Sequence, residues 1–392
     1  MMKPVPILLM TEATAGGTRR HLFDLVTGLD RNMFAPSILC STLRDPAFQT
    51  DIERFKELNI PVRIVTMHRD PFHPWRDMAA LAAIRRHLDA EPCRILHTHS
   101  SKAGFLGRLA ARQSARTLRV IHTPHVFPFR MRAPLPLGLL YERLEKTAAR
   151  WTDQFICVCE EERFDALRRR LAEPDKFTVI RNGIDQPVAT APDTDAETER
   201  ARARFGYRPQ DIVIGSVGRF AIQKGFDVLL QAARILAPRL PNMHLFLAGE
   251  GPEQRRIETL ARRLGLQSKL RILPPPANPD EIHRLLDIFV LPSLWEGLPY
   301  GLLEAMAARK AIAASRTGGV PEAIADNENG LLTPPGHAEA LADALNRLAQ
   351  DPALRKRLGK HAAETVAEKF RLDAMIAKTE QIYDKWIDNP PA

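Results

Sequence analysis

The strongest constraint on the fold is a regular alternation of short apolar runs with helical segments along the whole chain. This alternation predicts parallel β-sheets covered by helices. In the first half of the chain, strands are expected at residues 4–10, 35–40, 62–65, 94–98, 119–123, 154–159 and 177–181. In the second half, strands are expected at residues 212–217, 244–248, 270–273, 288–291, 311–314 and 330–332. Each set is large enough for one doubly wound sheet, so we predict an α/β protein with two Rossmann-like domains.

A polar segment separates the two sets of strands. Residues 186–200 contain two prolines and show no apolar periodicity, which is typical of a linker. We therefore place a first domain at residues 1–188 and a second at 189–370, and a chain of 392 residues can build two cores. Ligands of such sheets bind beyond the carboxyl ends of the strands, so we expect a ligand cleft between the domains.

The formal net charge of +9 is concentrated in the first half: residues 1–190 carry +8 and residues 191–392 carry +1. A basic domain favours a phosphate-rich partner, namely an anionic membrane, a lipid pyrophosphate or nucleic acid. Because the arginines are spread out, arginine-rich genome composition explains the excess equally well. Aromatic residues make up only 6% of the chain and do not interleave with clustered arginines, which argues against a nucleic-acid binder.

The composition also bears on the compartment. No uninterrupted apolar stretch approaches the roughly 18 residues of a membrane span. The four cysteines lack the spacing of a zinc site and are interpreted as buried thiols in a reducing cytoplasm.

Gly16 and Gly17 follow the first predicted strand and precede a helix expected to start near Arg19. Paired glycines let backbone N–H groups approach a ligand, and a helix N-terminus favours an anion. The pair is equally consistent with a plain strand-to-helix turn. It lacks the G-x-G-x-x-G pattern, so a dinucleotide fingerprint is unsupported.

Two cations follow a strand in the second domain. Arg219 comes directly after the strand in VGRFAIQKG, and Lys224 lies five residues later at a helix start. Two cations at this edge of a sheet suit a diphosphate, because each can bind a different oxygen. The alternative is a surface pair that binds no ligand.

Glu296 and Glu304 lie eight residues apart in PSLWEGLPYGLLEAMA. We expect Glu296 on a loop and Glu304 in the first turns of the following helix, so that both face one cleft. Carboxylates accept paired hydrogen bonds from sugar or ribose hydroxyls. A glycosidase acid/base pair is the alternative, but it does not fit the architecture or the phosphate-type features. Gly318-Gly319 precedes another helix start that can receive an anion.

Four histidines follow the ends of two adjacent predicted strands: His97 and His99 in LHTHSSKAG, His122 and His125 in IHTPHVFPF. Such a set can ligate zinc, but no carboxylate or cysteine lies close in sequence and the spacing does not suit a helix site. We therefore predict hydrogen bonding to hydroxyls or to a diphosphate, and no metal site.

Together these segments resemble glycosyltransferase family 4, a group of retaining enzymes of the GT-B fold, with two Rossmann-like domains facing a cleft. The resemblance covers nearly the whole chain and is carried by Gly16-Gly17, RNGID, VGRFAIQKG, LAGEGPE, VLPSLWEGLPYGLLEAMA and GGVPEAI. The E-x7-E element with its flanks is its most specific part. HTPHVFPF followed by LLYERLEKTAARWTDQFICVCEEER is similar to members that build bacterial exopolysaccharide and lipid-linked glycans.

The resemblance implies a role for each matching residue in donor binding. Arg219 and Lys224 would bind the donor diphosphate and stabilise charge on the leaving group. Glu304 would bind the ribose hydroxyls, and Glu296 would contact hydroxyls of the transferred sugar. Gly297 and Leu298, which follow Glu296, are included in the donor site.

The resemblance also implies roles in the first domain. His125 matches the family's active-site histidine near the donor sugar, with His122 as the alternative holder of that role. Gly16 and Gly17 would shape the loop near the diphosphate and the acceptor. The C-terminal helix, residues 371–392, is expected to pack back on the first domain.

The sequence departs from the family pattern in three places. Arg309 and Ala311 stand where a glycine and a proline are usual after the E-x7-E helix, which puts the local turn in doubt. PPPANPD at 274–280 replaces a glycine-containing loop and is expected to reshape the base pocket. Val126 stands where glycine is common.

The implied activity is metal-independent transfer of a hexose-type sugar from a nucleotide diphosphate sugar, with retention and without a further cofactor. No convincing Asp-x-Asp-type motif is found, so cations and a helix N-terminus would stabilise the leaving group. A saccharide or lipid-linked acceptor, peripheral binding to the inner membrane face and closure of the domains are hypotheses. The alternatives are a GT-B sugar-nucleotide epimerase and a non-catalytic GT-B scaffold. The sequence does not fix the donor base.

Overall fold

The structure is a computed structural model that describes residues 3–12, 16–43, 45, 47–68, 74–130, 135–185, 195–274 and 279–388. It divides into two compact units, Met1–Arg181 with Asp373–Ala392, and Asn182–Leu372. Most of the predicted linker, residues 186–194, and most of the PPPANPD loop, residues 275–278, lie outside the described residues.

The first unit contains a seven-stranded parallel sheet. Its strands are β1 (Val5–Thr11), β2 (Phe34–Cys40), β3 (Val62–Ile64), β4 (Ile95–His99), β5 (Arg119–Thr123), β6 (Gln154–Cys157) and β7 (Phe177–Val179). The strand order is β3-β2-β1-β4-β5-β6-β7. All the strands predicted for this half are present, and their ends differ from the predicted ends by no more than two residues.

The second unit contains a six-stranded parallel sheet. Its strands are β8 (Ile212–Val217), β9 (Met243–Ala248), β10 (Leu270–Leu273), β11 (Ile288–Leu291), β12 (Ala311–Ser315) and β13 (Leu331–Thr333). The strand order is β10-β9-β8-β11-β12-β13. Every strand predicted for this half is present. The prediction of two Rossmann-like α/β domains is therefore confirmed.

Helices follow most of the strands, as the alternation of patterns predicts. In the first half of the chain they are α1 (Gly17–Gly28), α2 (Phe48–Glu57), α3 (Pro74–Ala90), α4 (Ser101–Gln113), α5 (Leu135–Ala149) and α6 (Glu160–Arg168). The later helices are α7 (Asp195–Arg204), α8 (Phe226–Leu236), α9 (Gln254–Arg263), α10 (Pro279–Leu285), α11 (Tyr300–Ala307), α12 (Val320–Ala323), α13 (Ala338–Gln350), α14 (Pro352–Lys369) and α15 (Leu372–Asp388). Single 3₁₀ turns lie at Pro128–Arg130, Pro174–Lys176 and Ile222–Lys224. Across the described residues, no helix is long and apolar enough to cross a bilayer.

The central strands are buried on both faces, as parallel sheets require. In β1 every residue from Ile7 to Met10 is at most 2% exposed, and the residues of β11 are equally buried. Continuous apolar runs of this kind, rather than alternating ones, made the strands recognisable in the sequence.

Each sheet reverses its strand order at one point. In the first unit the reversal lies between β1 and β4, and in the second between β8 and β11. The loops that follow these strands diverge to opposite sides of the sheet, which leaves a crevice at its carboxyl edge. Any ligand of either unit is expected at this edge.

The C-terminal helix α15 lies with the first unit along nearly all of its length. Tyr383 is fully buried and contacts Phe34 edge to face, with the ring centroids 5.7 Å apart. The guanidinium of Arg119 lies 4.6 Å from the ring centroid of Trp386. The last helix therefore contributes buried aromatic surface to the first sheet.

The end of α11 shows why the family favours a glycine at position 309. The N–H of Arg309 donates to the carbonyl of Met306, and the N–H of Lys310 donates to the carbonyl of Ala305, both at 3.0 Å. This is a Schellman ending, which needs a left-handed residue just beyond the helix. Arg309 adopts that conformation with φ of 55°. The turn that the sequence put in doubt is thus formed, with an arginine in a position suited to glycine.

Replacing Arg309 by glycine should therefore stabilise the protein. Glycine adopts the left-handed conformation without the steric cost that arginine bears, but it also gives the unfolded chain more entropy. The net effect should raise the free energy of unfolding by about 1 kcal/mol. In a thermal melt this corresponds to a rise in Tm of roughly 2–4 °C. Arg239→Gly, at an exposed position without positive φ, is the matched control and should lower the Tm. A lower Tm for Arg309→Gly would contradict the explanation.

Candidate functional site

The carboxyl edge of the second sheet is built from three loops whose backbones touch. Gly225, after β8, has φ of 62°, and a Cβ at this position would lie 2.1 Å from the carbonyl oxygen of Pro292, after β11. Gly318, after β12, has φ of 57°, and its Cβ would lie 2.2 Å from the carbonyl oxygen of Glu296. Both positions require glycine, since any side chain would separate the loops. The close packing fixes the loop that carries Glu296 from both sides.

Glu296 lies at the centre of this edge with its side chain almost fully buried. Its Oε1 accepts a hydrogen bond from Ser293 Oγ at 2.7 Å and from the ammonium of Lys224 at 2.7 Å. Its Oε2 accepts from Gln223 Nε2 at 3.2 Å. Three donors from two loops satisfy the carboxylate, so its position and that of Lys224 are set together.

The other predicted donor-binding residues of the second unit lie on the same loops or directly after them. Arg219 follows β8 and is half-buried, and Glu304 is half-buried on α11. Gly297 accepts a hydrogen bond at 2.6 Å from the N–H of Gly319, and the carbonyl of buried Leu298 accepts from Asn182 Nδ2 at 2.7 Å. Lys224 thus contacts Glu296 directly, and Arg219 precedes Lys224 on the loop that follows β8.

In the first unit, the predicted start of α1 needs correction. The helix begins at Gly17 rather than near Arg19, and Gly16 precedes it with φ of 91°. Both glycines are exposed. The guanidinium of Arg19 binds Asp51, Asp45 and the carbonyl of Ala47, so it is engaged in fixing α2. These contacts raise the pKa of Arg19, with the hydrogen bond to Asp51 as the main cause.

Glu12, which no sequence pattern singled out, follows β1 and is only 3% exposed. Its Oε1 accepts hydrogen bonds from the backbone N–H of Lys102 at 2.7 Å and from Ser100 Oγ at 3.1 Å. The carboxylate therefore stabilises the N-terminus of α4, where the helix dipole favours negative charge. An acid directly after a buried strand was the signal that could have found it.

The predicted placement of the histidines is wrong in part, because His97, His99 and His122 lie within β4 and β5 rather than after them. His97 is bound through Nδ1 to Tyr383 Oη at 2.7 Å and through Nε2 to Thr123 Oγ1 at 2.8 Å. His122 Nδ1 lies 2.9 Å from Thr98 Oγ1. His97 therefore links β4 to β5 and to α15, and His122 links β5 to β4.

His99 and His125 meet at the carboxyl edge of the first sheet, with Nδ1 of His99 3.1 Å from Nε2 of His125. His21 of α1, which the sequence analysis did not consider, packs against His125 with ring centroids 4.7 Å apart. His125 and Val126 both have positive φ, at 56° and 122°. A β-branched residue is rarely found there, which explains why glycine is common in the family at position 126.

Burial keeps these imidazoles neutral. Loss of hydration is the largest cause that lowers the pKa of His97, to about 3, and repulsion by His21 adds to it. Burial likewise lowers the pKa of His99 and of His125 well below the usual value. At neutral pH each ring therefore has one N–H donor and one lone pair.

Comparison with known proteins identifies the family. The family model described as Glycosyl transferases group 1 matches residues 197–365, and that described as Glycosyltransferase Family 4 matches residues 15–186. EpsD from Bacillus subtilis (strain 168) is 31% identical over 335 residues, which cover 85% of this chain and 86% of that protein. The chain belongs to glycosyltransferase family 4. The resemblance inferred from the motifs is confirmed.

Other family 4 relatives and solved structures agree. A UDP-Gal:alpha-D-GlcNAc-diphosphoundecaprenol alpha-1,3-galactosyltransferase from Escherichia coli is 28% identical and covers 80% of each chain. HepE from Anabaena, solved with UDP and glucose, has a TM-score of 0.80 at 20% identity and covers 98% of this chain and 100% of its own. Sucrose-phosphate synthase from Thermosynechococcus elongatus also has a TM-score of 0.80, at 23% identity, with coverage of 97% and 98%. These structures confirm the GT-B fold, and the chain is a glycosyltransferase.

Proposed function

We propose that this family 4 glycosyltransferase moves a hexose from a UDP-sugar to a saccharide or lipid-linked acceptor, with retention of configuration and without a metal ion. The role would lie in the synthesis of a cell-surface polysaccharide or glycolipid. The observation that supports it most is the Lys224–Glu296 pair at the strand-order reversal of the second sheet, with Arg219 earlier on the same loop as Lys224.

The proposed donor site uses two cations for one diphosphate. The ammonium of Lys224 has three N–H donors, and Glu296 accepts one of them at 2.7 Å. The remaining donors are free to bind phosphate oxygens without breaking this contact. Arg219, on the loop that leads to Lys224, would bind the diphosphate with its planar group of donors.

The two glutamates would divide the remaining donor contacts. Glu304, on α11, would accept hydrogen bonds from the ribose hydroxyls, as the family resemblance implies. Glu296 would contact hydroxyls of the sugar while it positions Lys224, because its two oxygens can accept about four hydrogen bonds and three are in use. Gly297 and Leu298, whose carbonyls are already bound, would keep this loop in place.

Cleavage of the donor builds negative charge on the β-phosphate. Lys224 and Arg219 would stabilise that charge from positions fixed before reaction, which is the arrangement that contributes most to such catalysis. No metal ion is required for this step, since two cations replace its charge. The uracil base is proposed from the UDP named for the galactosyltransferase relative and for HepE.

Retention is supported by the products that relatives are named for. The galactosyltransferase forms an alpha-1,3 linkage, and another relative is an alpha-D-kanosaminyltransferase. A product with the α configuration of a UDP-hexose donor requires retention. His125 is proposed to lie near the donor sugar, where a neutral imidazole can donate a hydrogen bond.

The proposal is tested with UDP-hexoses and a GlcNAc-diphospho-lipid acceptor. Transfer should persist in excess EDTA, and NMR of the product should show an α linkage. Lys224→Ala should lower kcat by roughly 10²–10³-fold because the developing charge loses a fixed donor. Arg239→Ala, which removes an exposed cation of the same unit, is the control and should be fully active. Loss of transfer in EDTA with recovery in Mg²⁺, or a β-linked product, would refute the mechanism.

We further propose that α5 binds an anionic bilayer surface, where a lipid-linked acceptor would be found. Leu135, Leu139 and Leu140 are 77%, 60% and 49% exposed and lie on one side of the helix with exposed Arg143. The segment 101–150 contains ten Lys or Arg and two Asp or Glu. α5 itself carries two Lys or Arg and two Asp or Glu, so the exposed leucines are what fits the headgroup boundary of a membrane. The positive charge of the wider segment favours an anionic one.

Flotation with liposomes tests this surface. The protein should float with vesicles containing phosphatidylglycerol at low salt and much less at high salt, because screening weakens the attraction. The double variant Leu139→Glu, Leu140→Glu should lose binding. Met78→Glu, at a 60% exposed apolar position on α3, is the matched control and should bind normally. Membrane binding by the double variant would contradict this role. So would a wild-type dimer that the double variant converts to a monomer, because the leucines would then form a protein interface.

A further inference from the structure

Three histidines from different elements converge at the carboxyl edge of the first sheet. His21 lies on α1, His99 ends β4, and His125 follows β5 by two residues. One ring nitrogen from each lies within 4.8 Å of the others. The cluster is at the reversal of strand order between β1 and β4, where ligands of such sheets bind.

The spacing of one pair of these nitrogens fits metal ligation. Two nitrogens bound to zinc at 2.0–2.1 Å in tetrahedral geometry are about 3.3 Å apart. Nδ1 of His99 and Nε2 of His125 are 3.1 Å apart. His21 and His99 are almost fully buried, and Nε2 of His99 has no hydrogen-bond partner among the described residues. Because zinc would bind His99 through Nδ1, Nε2 would keep its proton, and the spacing and burial of the rings are what favour a metal.

The rings are also held in place before any ion binds. His97 packs against His99 with centroids 4.2 Å apart, and His97 is itself fixed by Tyr383 and Thr123. A metal ligand must offer a lone pair, so each imidazole would bind an ion in its neutral form. Neutral imidazoles suit zinc, copper, nickel and cobalt rather than magnesium or calcium.

We propose that His21, His99 and His125 bind one zinc ion through three imidazoles, with a fourth position open to water. This ligand set differs from the four histidines considered from the sequence. His97 and His122 form hydrogen bonds within the first unit, and His21 is the third ligand instead. The site is regulatory: zinc holds His125 and so inhibits transfer, a consequence that rests on the function proposed above. Metal-free enzyme is the active form.

Cobalt(II) provides a readout that does not depend on activity. The metal-free protein should take up one equivalent and show the intense visible bands of four-coordinate cobalt, which zinc should displace. His99→Ala and His21→Gln should each lose the bands and weaken zinc binding in calorimetry by about 100-fold or more. His337→Gln, at an exposed histidine of the second unit, is the control. Thermal melts identify any variant that fails to fold. If one of the two cluster variants does not fold, the cobalt spectrum of the other tests the site.

The experiments distinguish failure of the zinc site from failure of the proposed transferase function. Loss of the cobalt spectrum in both cluster variants, with zinc inhibition of the wild type that EDTA reverses, would support the site. Wild type without these bands would overturn the site, and cluster variants that keep the bands would overturn it by assigning the metal to other residues. Zinc binding without inhibition would overturn the regulatory role. A metal-free enzyme that never transfers sugar would refute the proposed function and leave the spectroscopic result intact.

Discussion

The ion pair between Lys224 and Glu296 determines how the edge of the second sheet is arranged. The two residues follow neighbouring strands, β8 and β11, on either side of the reversal in strand order. Their contact is supported by Ser293 and Gln223 and by glycines that let three loops touch. A buried carboxylate with these partners holds a cation where the sheet opens to ligands. Removing Lys224 would leave a buried carboxylate partly unpaired.

The carboxyl edge of the first sheet carries a different set of side chains. Its reversal point gathers imidazoles, which burial keeps neutral. His97 and Tyr383 link the sheet to the last helix, while His99, His125 and His21 face one another. Backbone strain at His125 and Val126 is sustained by this packing, which is common where a side chain must be aimed.

Most of the fold could be predicted because buried parallel strands are continuous apolar runs and the helices between them have their own period. Residues just after strands were identifiable for the same reason, so Arg219, Lys224 and Glu296 were found from position alone. The contacts that join them were not predictable, since Gln223 and Ser293 have no distinguishing pattern. The start of α1 was expected near Arg19 because Gly17 is a poor helix former, whereas the helix begins at this exposed glycine.

The histidines show the limit most clearly. The order in sequence suggested two pairs, and His97 and His99 do share a face of β4. His122, however, contacts Thr98 on the other face, and His125 lies beyond the end of β5. The sheet then joins His99 to His125, and α1 adds a third ring, that of His21, from a distant part of the sequence. Arg309 illustrates a different limit: the family pattern favours glycine there, and only the backbone shows that the same turn forms with a strained arginine.

The central claim is that the edge of the second sheet binds a nucleoside diphosphate through Lys224 and Glu304. Calorimetric titration of UDP, with GDP and ADP for comparison, tests it directly. UDP should bind the wild type and the exposed-site variant Arg239→Ala equally, and Lys224→Ala should weaken binding by about 10–100-fold through loss of a charged hydrogen bond. Glu304→Ala should weaken it as well. Failure of all three nucleotides to bind the wild type, or unchanged affinity in both site variants, would contradict the account.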